Sequence, residues 1–132
     1  MPDCDATRWN VLLIEDDEDH HQILARVLDF HGVNVISAYS GQEGLTLLSS
    51  RHNLTLALID IQMPGISGWE VLKMIRSNPL EAIRRMPIVA ITAQALTGDR
   101  ERVLDAGFDG YLSKPIDPLA LIENICQALK IR

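Results

Sequence analysis

At 132 residues, 47% apolar and 23% charged, the chain has the length of one domain and enough apolar side chains for its own core. A formal net charge of -6 argues against nucleic acid as a direct partner, since phosphate backbones are held by basic footprints, and favours a protein or a cation. No apolar run nears the roughly 20 residues of a membrane helix, and Met1-Pro2-Asp3-Cys4-Asp5 lacks the parts of a signal peptide, so a cytoplasmic location is expected.

Residues 1–9 carry no periodicity and read as an N-terminal tail before a domain at 10–132, with Trp9 folding back on its edge. Val11-Leu12-Leu13-Ile14 is a short apolar strand that runs into Glu15, Asp16, Asp17, Glu18 and Asp19. The later acids precede the helical pattern Ile23, Leu24, Val27, Leu28 and suit a helix N-terminus, whose macrodipole favours negative charge. Glu15 and Asp16, still at the strand end, have no such account. Gly32 closes the helix, and Val33 to Ile36 form a second strand. Ser40 and Glu43 have capping-box spacing ahead of a helix that turns Leu45 and Leu48 to the core. Leu54 to Ile59 is apolar but for Thr55, as in a strand covered on both faces, and it ends in Asp60. Met63-Pro64-Gly65 then forces a turn, with Gly65 and Gly68 supplying backbone freedom. A carboxylate so held is a nucleophile, a metal ligand or a turn cap.

Trp69, Val71, Leu72 and Ile75 predict a helix that stops before Asn78-Pro79, followed by a loop to Met86. Pro87 to Ile91 is another doubly buried strand, ending in Thr92-Ala93. Thr97 and Asp99 start a helix through Val103 and Leu104 that stops at Ala106-Gly107. Tyr111-Leu112 is a brief last strand ending at Lys114-Pro115. Asp117 as N-cap and Pro118 at the first helical position open the final helix, with Leu119, Ile122, Ile125 and Leu129 on one face. Cys4 and Cys126 are too few for a disulfide scaffold and read as free cysteines in packing roles.

Strand and helix thus alternate five times, which predicts an α/β, doubly wound, five-stranded parallel sheet with right-handed crossovers. Strand order 2-1-3-4-5 is expected. The first and third strands then meet at the topological switch point, where Glu15, Asp16 and Asp60 converge, with Thr92 and Lys114 arriving from the fourth and fifth. Three close carboxylates raise one another's pKa and call for a cation. An all-oxygen set selects a hard ion such as Mg²⁺, or Mn²⁺, rather than zinc. His20, His21, His31 and His52 lack ligand spacing and read as surface or packing residues. Carboxylate, metal, ammonium and hydroxyl together describe a pocket for a phosphoryl group on Asp60.

These motifs resemble the receiver domain of two-component response regulators: Glu15-Asp16, the Asp60-Ile61-Gln62-Met63-Pro64 turn with Gly68, Thr92-Ala93, and Lys114-Pro115 preceded by Tyr111. The likeness runs from Val11 to Leu129 and implies a flavodoxin-like fold similar to the chemotaxis regulators. It implies that Asp60 is the phosphoacceptor, served by a histidine kinase or histidine phosphotransfer protein, and that the domain catalyses its own phosphorylation and dephosphorylation. It further implies that Asp16, Asp60 and the Gln62 carbonyl bind Mg²⁺ directly, Glu15 through a water, and that Lys114 holds the phosphoryl oxygens. Thr92 and Tyr111 would form the switch that remodels a face for a downstream protein. Gln62 and Gln94, two beyond the acceptor and two beyond the switch Thr, would set phosphoryl lifetime. Glu15 stands where Asp is commoner. The stretch from Gly98 to Lys114 is similar to receivers of hybrid histidine kinases, although a stand-alone regulator is the simpler expectation.

Two other classes compete. A haloacid-dehalogenase-type phosphatase shares the strand-end Asp, hydroxyl, Lys and Mg²⁺, but needs a second Asp as general acid where this chain has Gln62. A dinucleotide or flavin binder needs a glycine-rich loop after the first strand, where this chain has acids.

Overall fold

The computed structural model describes residues 2–50, 53–93 and 99–131. Five strands, β1 (Asn10–Ile14), β2 (Asn34–Ala38), β3 (Leu56–Asp60), β4 (Ile88–Thr92) and β5 (Gly110–Ser113), form one parallel sheet in the order β2-β1-β3-β4-β5. Between and after them run α1 (Glu18–Phe30), α2 (Gly41–Ser50), α3 (Gly68–Arg76), the short α4 (Glu81–Arg84), α5 (Asp99–Ala106) and α6 (Leu121–Leu129). The expected fold class and strand order are both met. Thr97, Gly98, Gln94 and His52, singled out above, lie outside the described residues.

Alternation along the strands sorts the core into two layers. On one face Leu12, Ile14, Ala57 and Ile59 pack with Val71, Leu72 and Ile75 of α3 and Leu48 of α2. On the other, Val11, Leu13, Leu56 and Leu58 pack with Leu24 and Leu28 of α1 and with Leu121 and Ile125 of α6. Every residue of β3 and β4 is buried, as their unbroken apolar runs require.

The helix signals hold at several ends. The Asp17 side chain caps α1 by accepting from His20 N at 3.0 Å, Ser40 Oγ accepts from Glu43 N at 3.1 Å, and Gly32 leaves α1 at φ +82°.

Other expectations are corrected. The stretch read as a loop before Met86 contains α4, one helical turn and too short to show a period. Asp117 caps a turn rather than α6: its carboxylate accepts from Leu119 N at 3.0 Å and its carbonyl from Ala120 N at 3.1 Å, and the helix begins at Leu121. The buried face is consequently Leu121, Ile125, Cys126 and Leu129, while Leu119 is 95% exposed. Trp9 folds back on the domain as expected, only 1% exposed with its Nε1 donating to the Asp3 carbonyl at 2.9 Å, but the residues before it are docked too, through a 3-10 turn at Ala6–Arg8, rather than a trailing tail. Cys4 and Cys126, read as free cysteines, are joined in a disulfide, because this docking brings the start of the chain against α6.

Arg76, at the end of α3, ties distant backbone together. Its guanidinium donates to the carbonyls of Gly107, Arg84 and Met86 and pairs with Asp109 Oδ2 at 2.7 Å. Asp109 Oδ2 also accepts from Ile88 N at 2.8 Å, so one ion pair seats the start of β4 and the approach to β5.

Candidate functional site

The sheet register decides what meets at its carboxyl edge. Ile14 pairs with Ile59, which sets Glu15 level with Asp60, and Asp60 pairs with Ile91, which carries Thr92 one step beyond it. Thr92 in turn pairs with Ser113, so Lys114 follows at the same edge, its N–H donating to the Thr92 carbonyl at 2.8 Å across a strand that leads into a cis Lys114-Pro115 bond.

Glu15, Asp16 and Asp60 each offer a carboxylate oxygen within 4.8 Å of the others. The Lys114 ammonium, its side chain 15% exposed, reaches both buried acids: 3.1 Å to Glu15 Oε2 and 3.3 Å to Asp60 Oδ2. Asp60 Oδ1 accepts from Gln62 N at 3.1 Å, and Glu15 Oε1 accepts from Asp17 N at 3.2 Å, so backbone donors orient both carboxylates. The turn behind Asp60 lies so close that a Cβ on Gly68 would sit 2.6 Å from the Asp60 carbonyl oxygen and from Ile61 Cα. Only glycine permits that approach. Gly65, at φ +75°, serves the same turn.

Charge in the cluster is unbalanced, three carboxylates against one ammonium. Burial and then the repulsion of Asp60 push Glu15 up to about 7, against the opposing pull of Lys114. Burial alone would lower Lys114, but the hydrogen bond to Glu15 and the charges of Asp60 and Glu15 outweigh it and hold the ammonium above its ordinary range. An all-oxygen donor set with excess negative charge fits a hard divalent cation.

A pH dependence follows. Unfolded Glu15 titrates near 4.5 and folded Glu15 near 7, so between those values the metal-free fold holds a proton that the unfolded chain has lost. This contribution to stability is present below about 4.5, declines as pH rises through about 7 and is flat beyond. Thermal unfolding of metal-free wild type, taken as a difference from Glu15→Gln, is expected to trace that decline. A difference that is constant from pH 5 to 8 would refute the assignment.

The sequence-predicted residues divide in space. Glu15, Asp16, Asp60 and Lys114 form one cluster. Thr92 is buried beside it and also borders a cavity of about 260 Å³ lined by exposed Gln62 and by Ser67, Trp69, Asp99 and Arg102. There the Arg102 guanidinium lies 5.0 Å over the Trp69 ring, which meets Phe108 edge-on. Tyr111 is apart from the acids: half-buried on β5, it lines a groove with Arg100, Asn124 and Gln127. Burial and then the charge of Asp99 raise its hydroxyl pKa.

Two histidines gave no signal as ligands yet sit at this edge. His20 Nδ1 lies 3.3 Å from Lys114 Nζ. His21 is buried, its Nδ1 2.9 Å from the Glu15 carbonyl and its ring stacked 4.0 Å from Tyr39. A carbonyl only accepts, so Nδ1 carries the proton. His21 stands three residues before Leu24 and seven before Leu28, and extending that stripe backwards would have found it.

A family model described as the response regulator receiver domain matches residues 11–126. The chain belongs to this family. It is 37% identical over 116 residues to the polar-differentiation response regulator DivK of Brucella ovis, covering 88% of this chain and 92% of that protein. Among solved structures, a putative response regulator from Chloroflexus aurantiacus is 30% identical, with TM-score 0.82 over 92% of this chain and 98% of that one. Chemotaxis response regulator CheY4 of Vibrio cholerae shares the fold, with TM-score 0.83 at 24% identity over 92% of this chain and 98% of that one. As a receiver domain the chain is a phosphoacceptor signalling module, and the phosphatase alternative finds no support in these relatives. Receiver domains bind Mg²⁺ through acidic residues, and this receiver presents an acidic cluster of that kind. No helix among the described residues is long and apolar enough to cross a membrane.

Proposed function

We propose that Asp60 accepts the phosphoryl group of this receiver domain from a phosphohistidine of a sensor kinase or phosphotransfer protein, in the cytoplasm. One observation carries the reading: Lys114 Nζ bridges the buried carboxylates of Asp60 and Glu15 at the sheet edge. An Asp60 oxygen attacks phosphorus, an O–P bond forms as the N–P bond to imidazole breaks, and the departing nitrogen takes a proton from solvent. Lys114 neutralises charge on the transferring oxygens, and the Thr92 hydroxyl donates to one of them. Asp16, Asp60 and the Gln62 carbonyl would hold Mg²⁺ directly and Glu15 through a water. The ion supplies charge neutralisation that makes a phosphorylated Asp60 tolerable among acids.

Water later returns Asp60 to the carboxylate and releases phosphate, at a rate set by Gln62 and Gln94. Thr92 drawn toward the phosphoryl group makes room for Tyr111 to turn inward, changing the face of α5, β5 and α6 for a downstream protein. Moving such an equilibrium from 1:99 to 99:1 takes about 5.5 kcal/mol, within reach of several charge-assisted hydrogen bonds to a new dianion.

The test is intact mass after incubation with acetyl phosphate and Mg²⁺. A gain of one phosphoryl group is expected, and none would overturn the reading. In a Mg²⁺ titration, Asp16→Ala is expected to weaken binding well over tenfold, since even residues behind the ligands cost about 10–100-fold. Asp19→Ala, in the first turn of α1, is expected to leave binding within about twofold. Equal losses would show that the ligands are misassigned.

A further inference from the structure

The chain's two cysteines stand 122 residues apart and share a disulfide, their Cα atoms 5.8 Å apart. They touch neither the acidic cluster nor Lys114. Their surroundings are unequal: Cys126 is buried on the core face of α6, whereas Cys4 is half-buried in the segment ahead of the first turn. An incoming thiolate must approach a disulfide sulfur from outside, so access selects Cys4. That segment has further anchorage in buried Ala6 and Trp9, and the Trp9 carbonyl accepts from Asn34 N at 3.0 Å. Opening the bond therefore releases the few residues around Cys4 while Trp9 stays in the core. A cross-link reachable from solvent, in a segment that Ala6 and Trp9 still anchor once it opens, has the attributes of a reversible one. Disulfides of intracellular proteins are mostly of this redox-active kind, which accords with the cytoplasmic location proposed above.

We propose that Cys4–Cys126 is a redox-modification site, opened by a dithiol protein of the thioredoxin class and closed by a low-molecular-weight disulfide such as glutathione disulfide. In opening, a thiolate of the reductant bonds to Cys4 Sγ, the S–S bond breaks, and Cys126 leaves as a thiolate that takes up a proton. The second thiol of the reductant attacks the mixed disulfide and frees Cys4 as a thiol. Two electrons and two protons pass to this chain, and the reductant becomes a disulfide. Closing is the reverse exchange, with glutathione disulfide reduced to two glutathiones. The site fastens or frees the N-terminal segment on α6, one residue from Gln127 in the groove that Tyr111 lines.

The test uses the full chain, oxidised with glutathione disulfide, then treated natively with thioredoxin, its reductase and NADPH, quenched with acid, and alkylated in denaturant for mass analysis. No adduct is expected before reduction, two after it, and none again after glutathione disulfide. A thioredoxin lacking its resolving cysteine is expected to be trapped on Cys4. Adducts before reduction, adducts only when the reduction itself is run in denaturant, or trapping on Cys126 would each overturn the proposal. Reduced wild type and Cys4→Ser are expected to melt together, about 10 °C or more below the oxidised protein. Both are expected to accept a phosphoryl group on Asp60 at the wild-type rate. A Cys4→Ser melting temperature equal to that of the oxidised protein, or phosphorylation lost on reduction, would contradict it.

Discussion

Asp60→Asn protein incubated with acetyl phosphate and Mg²⁺ is expected to gain no phosphoryl group at all. The substitution keeps the shape of the side chain and an oxygen able to accept from Gln62 N, so the turn against Gly68 has no reason to move. What disappears is the anionic nucleophile: an amide oxygen neither attacks phosphorus competently nor carries the charge that draws a cation. The repulsion of Asp60 is also one of the causes that raise Glu15, so the Glu15 pKa is expected to fall in the variant while burial still holds it above an exposed carboxylate. Mass spectrometry reads the first effect and titration of the carboxyl resonance reads the second. A variant that gains the same mass as wild type would place the acceptor elsewhere.

Lys114→Met is expected to slow phosphorylation about 10²–10³-fold, the usual cost of deleting one donor aimed at developing charge. Methionine keeps most of the apolar stem, so the change isolates the ammonium. Without metal, two buried carboxylates then face each other with no cation, and unfolding at pH 8 should become easier by about 3 kcal/mol. Mg²⁺ affinity should move the other way and tighten, because the ammonium competes with the metal for the same oxygens. Opposite signs in the two measurements distinguish loss of a working charge from general damage. A parallel collapse of metal binding and phosphorylation would mean the cluster itself had fallen apart.

Much of this was legible in the chain because buried parallel strands announce themselves. An unbroken run such as Leu56 to Ile59 closing on Asp60 declares a core strand and the sheet edge at which sites of parallel sheets are expected. The convergence of Glu15, Asp16, Asp60 and Lys114 followed from topology. Features resting on backbone carbonyls did not follow: Arg76 reads as an ordinary last-turn cation, and nothing in a side-chain pattern says that the carbonyls of Gly107 and Met86 need donors. Leu119 misled because its spacing from Ile122 suits a helix that does not start until Leu121. The disulfide was hidden because Trp9 folding back on the domain edge does not say where the residues before it go, and nothing periodic in that segment places Cys4 against Cys126 of α6.

Lys114 lies 99 residues beyond Glu15 and 54 beyond Asp60 in the order of synthesis. At about 5–20 residues per second, the ribosome takes roughly 3–11 s to go from Asp60 to the cation that balances it. Through that interval the nascent chain carries the acids without their counter-charge, and the edge strand that delivers it has not been made. On the role proposed for Lys114, a copy broken off anywhere upstream of it takes phosphoryl groups at least about 10²–10³-fold more slowly than finished molecules do. The signal is thereby shielded from its own manufacturing debris.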